Sequence, residues 1–160
     1  MKRSSAVRQG LIATACWLAA AAFAADTTPA ASNDGGPLAA ARALIAERNW
    51  AGAITELKRV NASANADWNN LMGYSLRKGA KPDLAAAEQF YDAALRINPT
   101  HRGALEYSGE LYLMLGQLPR AEQRLAALDK ACLFGCEEYT DLKQAVARYK
   151  ANGGRYVAAP

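Results

Sequence analysis

Two cysteines separated by three residues, Cys132-Leu133-Phe134-Gly135-Cys136, are the most specific local feature of this 160-residue chain. Paired thiols at that spacing can form a structural disulfide, cycle as a redox couple or supply two ligands to a metal. A helix ending at Cys132, a left-handed turn at Gly135 and a helix starting behind Cys136 would make the pair a staple between two helices. Closing so short a loop contributes roughly 2 kcal/mol by chain entropy. As a redox pair, Cys136 would gain acidity from a helix N-terminus, but Glu137 and Glu138 oppose that, and no βαβ pattern surrounds it. A metal would need further ligands that the neighbouring residues do not offer.

The single histidine, His101, follows Pro99 at the start of a helical stretch. A Ser-His-Asp or Cys-His set would have to be assembled around it, and a capping or solvated role suits that position better. No phosphate loop, dinucleotide fingerprint or calcium loop is present. Gly153 and Gly154 stand in a tail and not between a strand and a helix. The reading is noncatalytic, with no cofactor.

The compartment decides what the cysteines mean. Lys2, Arg3 and Arg8 precede an apolar run over residues 11–24, which ends in Ala22, Phe23 and Ala24 with small residues at −3 and −1, the pattern of a cleaved export signal. The run is short for a membrane anchor. Ala13 stands where a lipoprotein signal ending at Cys16 would want a Leu-like residue. With cleavage after Ala24 the only membrane contact is the transient one of the signal peptide, and Cys132 and Cys136 remain as an even pair in the periplasm or outside the cell. A disulfide is then the default. The charge balance also changes. The full chain carries 19 Lys and Arg against 15 Asp and Glu, and removing the three N-terminal cations leaves 16 against 15. The remaining charges are interspersed, with Arg77, Lys78 and Lys81 the densest basic cluster, and no continuous basic stripe for a nucleic acid.

The elements that must position these residues are helical. Residues 25–36 and 151–160 are rich in turn formers and read as a flexible linker and a disordered tail. Between them Ala, Leu, Glu, Lys, Arg and Gln dominate over 37–150. Punctuation predicts seven helices: 37–47 with Pro37 in its first turn, 50–60, one carrying Trp68, Leu71, Met72 and Leu76, 84–97 capped by Asp83, 101–115 closed by Gly116, 118–132, and 137–150. Short connections imply antiparallel neighbours.

Helices of this length in series call for a test of repetition. Leu105, Ser108, Gly109, Tyr112, Gly116, Ala121 and Leu125 are spaced as in the tetratricopeptide repeat, which this chain resembles. Tyr91, Ala94 and Pro99 fall at that repeat's aromatic, small and closing-proline positions, and Met72, Gly73 and Leu76 match its first helix, with two extra residues in the turn before Pro82. Ala53, Ala87 and Ala121 recur every 34 residues. Gly73 and Gly109, with these alanines, let helices approach, and Trp50, Leu84, Tyr91, Tyr112 and Leu118 fill the space left. Residues 37–47 lack the signature glycine and aromatic. The stretch from Cys132 to Lys143 is similar to the C-terminal end of small exported bacterial repeat proteins.

The resemblance implies an all-α stack of about three helix pairs over 37–133, closed by a capping helix at 137–150. It implies a concave groove lined by the first helix of each pair, here Asn70, Tyr74, Arg77 and Lys78, then Glu106, Glu110, Leu113 and Met114. Their mixed polarity suits an extended peptide or a partner helix. The family's Lys/Asn clamp for a C-terminal carboxylate is replaced by glutamates in the second of these repeats. The function implied is a noncatalytic adaptor or scaffold of the periplasm that binds a protein or peptide. A thiol-disulfide or redox-sensing protein is the alternative.

Overall fold

The computed structural model describes residue 29 and residues 35–158. The export signal and most of the linker lie outside these. The described chain holds seven helices and no strands: α1 (Ala39–Ala46), α2 (Trp50–Val60), α3 (Ala66–Lys78), α4 (Leu84–Ile97), α5 (Arg102–Met114), α6 (Leu118–Ala131) and α7 (Glu137–Ala151).

Helix starts follow from local chemistry. Asn49, Asn65, Asp83 and His101 each accept a hydrogen bond from the backbone N–H three residues on, at 2.9–3.1 Å, and so satisfy a donor that the helix itself cannot. Pro37 does not enter the first turn of α1. It sits one residue before the N-cap Leu38, because the Ala39 N–H turns back to the Gly36 carbonyl.

The helices pack as antiparallel pairs, α1 with α2, α3 with α4 and α5 with α6, and α7 closes the end against α5 and α6. Each odd-numbered helix also meets the next odd-numbered one, whereas the even-numbered helices meet only their sequence neighbours. Two layers result, and this is the helix-pair solenoid expected from the sequence. The 34-residue alanines Ala53, Ala87 and Ala121 are all fully buried, with Tyr91 and Tyr112 buried beside them. Trp50, Leu84 and Leu118 are half-buried against the same core.

The first pair is a genuine unit despite its missing signature. Asn49 N–H reaches the Leu44 carbonyl at 2.8 Å with Arg48 at φ 56°, and Gln117 N–H reaches the Tyr112 carbonyl at 2.7 Å with Gly116 at φ 73°. The same left-handed helix ending thus joins α1 to α2 and α5 to α6, two periods apart. Arginine meets at position 48 a backbone requirement that glycine meets at 116, at a steric cost of roughly 1–2 kcal/mol.

Two close approaches depend on glycine. A methyl group at Gly73 would lie 2.7 Å from the Tyr91 ring and 3.1 Å from the Ala87 carbonyl, so α3 touches α4 there. A methyl at Gly109 would lie 2.5 Å from Leu142, and the partner is the capping helix α7. Beyond α7, Gly154 N–H closes on the Tyr149 carbonyl, and Tyr156 packs half-buried on the core.

Candidate functional site

Helical periodicity puts Asn70, Tyr74, Arg77 and Lys78 on one side of α3, and Glu106, Glu110, Leu113 and Met114 on one side of α5. α3 and α5 are neighbours in the inner layer, and of the eight predicted groove residues Arg77 and Glu110 meet directly between them. Six of them, Asn70, Tyr74, Arg77, Glu106, Glu110 and Leu113, are buried, while Lys78 and Met114 are half-buried at the rim. The face is packed and is not an open channel.

The arrangement is centred on a charge pair. Arg77 Nη1 donates to Glu110 Oε2 at 2.7 Å, with the two side chains 1% and 2% exposed. The guanidinium also sits 5.5 Å from the ring centres of both Tyr74 and Tyr107, so two aromatic faces share its charge. Tyr74 and Tyr107 are 4.7 Å apart, Trp50 meets the edge of Tyr74 at 5.9 Å, and Lys78 Nζ lies 5.9 Å from the Tyr74 ring. Glu106 is fully buried on the same face.

Among the described residues, buried Asn, Ser, Arg and Glu side chains are confined to α3 and α5. Asn69, Ser75 and Ser108 satisfy themselves on nearby backbone carbonyls. Asn70, Arg77, Glu106 and Glu110, the other buried polar residues of these two helices, all belong to the predicted groove set. Tyr107 and Trp50 also belong to the cluster, Trp50 from a position that the sequence assigns to packing between helices. Tyr107 occupies the register position of Leu71 in the preceding repeat, which reads as core.

A second polar chain runs along the N-terminal ends of the inner helices. Arg42 of α1 pairs with Asp67 of α3 at 3.0 Å, and Asp67 accepts from His101 Nε2 at 2.8 Å. His101 Nδ1 accepts from the Ala104 N–H at 3.1 Å, so the neutral ring carries its proton on Nε2. Both nitrogens are thus used in capping α5 and linking it to α3. The hydrogen bond from His101, with the positive charge of Arg42 behind it, holds the Asp67 carboxyl below its usual range against the opposing effect of burial. A depressed carboxylate stabilises the fold above its unfolded pKa, about 3.9, and that contribution is lost as pH falls through the lower folded value. Asp67→Asn is therefore expected to be less stable than the parent at pH 6 and to approach it below pH 3. Chemical denaturation across that range checks this; a constant gap would show that the carboxylate charge is irrelevant.

On the outer layer, Arg120 and Arg124 bridge to Glu88 and Asp92 of α4 at 2.6 and 2.8 Å. The Arg120 guanidinium covers the Tyr112 ring at 3.9 Å and donates to its hydroxyl. Burial raises the Tyr112 pKa, with the neighbouring arginines opposing it.

Cys132 and Cys136 are joined in a disulfide, with Cα atoms 5.6 Å apart. Cys132 caps the end of α6 and Cys136 the start of α7, so the bond ties the last repeat to its capping helix. Gly135 takes φ 83°, as the turn requires. Cys132→Ser with Cys136→Ser is expected to lose about 2 kcal/mol while keeping the helical circular dichroism. Equal unfolding midpoints for parent and variant would refute the staple. Among the described residues, no group of three His, Cys, Asp or Glu is placed to hold a metal ion, and no helix is long and apolar enough to cross a membrane.

Residues 80–146 match the tetratricopeptide repeat family model, a range that covers α4 to α6 and most of α7. No curated protein and no solved structure matches the chain. Tetratricopeptide repeats generally mediate protein–protein interaction, which supports a binding adaptor in general terms.

Proposed function

We propose that this protein is a noncatalytic adaptor of an oxidising compartment outside the cytoplasm, which binds an extended peptide or helix of a partner protein across the inner face of α3 and α5. The observation that carries the reading is the confinement of the buried Asn, Ser, Arg and Glu side chains to those two helices. Packing alone would be served by apolar residues, since a buried ion pair is not a stabilising device against a hydrophobic substitute. Asn70, Arg77, Glu106 and Glu110 with Tyr74 and Tyr107 instead make this layer polar and aromatic at once, the composition of faces that recognise peptide backbone and side chains together. Because the face is packed, a partner gains access by exchange with the groups that now bury it. Lys78 and Met114, at the rim, are the side chains it would meet first.

The export pattern and the Cys132–Cys136 disulfide support the compartment. N-terminal sequencing of the mature protein from fractionated cells tests it, with Ala25 as the expected first residue. For the site, photo-crosslinking groups placed at Lys78 and Met114 should capture the same protein, and capture by each should fall on Lys78→Glu in the Met114 probe or Met114→Asp in the Lys78 probe. Unchanged capture would reject the inner face as the binding surface.

A further inference from the structure

The disulfide-closed turn between α6 and α7 presents two large apolar side chains to solvent, Leu133 at 83% and Phe134 at 101% exposure. Every other aromatic side chain among the described residues is buried or half-buried. Neither Leu133 nor Phe134 contributes to the core, so the fold gives no reason for their being apolar.

Their presentation is organised. Cys132 and Cys136 fix the two ends of the turn, and Gly135 N–H closes on the Cys132 carbonyl at 3.0 Å with Gly135 at φ 83°. Leu133 and Phe134 are therefore the two central residues of a clamped turn, held outward before any partner arrives. Prior fixation reduces the ordering that association would otherwise require. A fully exposed aromatic on a rigid projection has the shape of an anchor residue, the kind that fills a pocket at the centre of an interface.

The surrounding charge selects the occupant. In the adjoining turns, Asp129 of α6 and Glu137 and Glu138 of α7 are exposed or half-exposed, against one cation, Lys130. This acidic collar disfavours an anionic lipid surface, to which inserting anchors are drawn by Lys and Arg. It also disfavours a two-fold contact with a second copy, which would bring like collars together.

We propose that the Leu133–Phe134 turn is a hydrophobic anchor that inserts into an apolar pocket, rimmed by basic side chains, on a partner protein. This surface is separate from the inner face of α3 and α5.

The test begins with the photo-crosslinking residue p-benzoylphenylalanine in place of Phe134 in the full chain in cells. The expected product is an adduct with a different protein, which is then purified and titrated with the intact adaptor. Phe134→Ser and Leu133→Ser should each weaken its binding at least tenfold, and Glu137→Lys with Glu138→Lys should weaken it too, as should added salt. The melting temperature should stay unchanged in the serine variants, since neither side chain is packed. Lys78→Glu, on the inner face, should leave this binding unaltered, which separates its failure from that of the inner-face site. An adduct between two copies, co-flotation with phosphatidylglycerol–phosphatidylethanolamine vesicles that depends on Phe134, no adduct, or a captured protein whose affinity fails to respond to either the serine or the charge-reversed variants would each overturn the proposal.

Discussion

Arg77→Met is expected to destabilise the fold by about 3–5 kcal/mol, because it leaves the Glu110 carboxylate buried without the guanidinium that now meets it at 2.7 Å. Glu110→Leu should cost a similar amount by removing the carboxylate that meets the buried Arg77 guanidinium. The double replacement, Arg77→Met with Glu110→Leu, should recover much of the loss, since a buried pair can often be exchanged for apolar residues of similar volume at little net cost. Urea unfolding of the three variants measures the coupling. Strict additivity of the two single losses would show that the pair does not act as a unit. A stable double variant that no longer binds its partner would then separate the two roles of these residues: the charge pair would serve recognition, with apolar packing sufficient for folding.

The second large effect is expected at the contact between α5 and α7. Leu142 is fully buried and seated on Gly109, so Leu142→Ala should cost about 2–5 kcal/mol through lost burial and the cavity left behind. Gly109→Ala in the parent should cost about 1–3 kcal/mol, because its methyl would stand 2.5 Å from a Leu142 methyl. In the Leu142→Ala background the same change should be neutral or stabilising. The clash is then gone, and alanine is better than glycine in a helix interior by about 1 kcal/mol. Thermal unfolding of the four proteins in the cycle gives the answer. Equal costs of Gly109→Ala in both backgrounds would place its effect somewhere other than this contact.

These two contacts differ in how visible they are in the sequence. Gly109 reads directly as a close-approach residue, because glycine by itself weakens a helix interior and suits one where a neighbouring helix leaves no room for a side chain. Its partner is less visible. The repeat pattern suggests the paired helix, and the structure places Leu142 of the capping helix nearest. Capping of α4 by Asp83 follows from residue type and position alone, since the hydrogen bond spans three residues. His101 as a cap of α5 is legible for the same reason, whereas its second bond, to Asp67 across 34 residues, is not. The unit formed by α1 and α2 is half legible: Trp50 and Ala53 carry the period, but Arg48 stands in the left-handed position where Gly116 marks the later turn.

The candidate site divides in the same way. Periodicity and register place Asn70, Tyr74, Arg77 and Lys78 on one helix face and Glu106, Glu110, Leu113 and Met114 on another. They do not tell which residues meet. Arg77 shares its register position with Leu113, yet pairs with Glu110, nearly one turn away, because a long guanidinium side chain reaches diagonally between neighbouring helices. Tyr107 joins the cluster from a position that reads as core, since one tyrosine edge can serve packing while its face meets a cation.

The seven helices, the caps at Asp83 and His101, and the 34-residue rhythm that makes them stack are written in the order of the residues, because each depends on neighbours within a few positions or on a period that repeats. Which polar side chains are buried, which charges pair, and that Leu133 and Phe134 stand clear of the core emerge only in the folded chain. Those depend on what lies across a helix face, and residues distant in the sequence supply it.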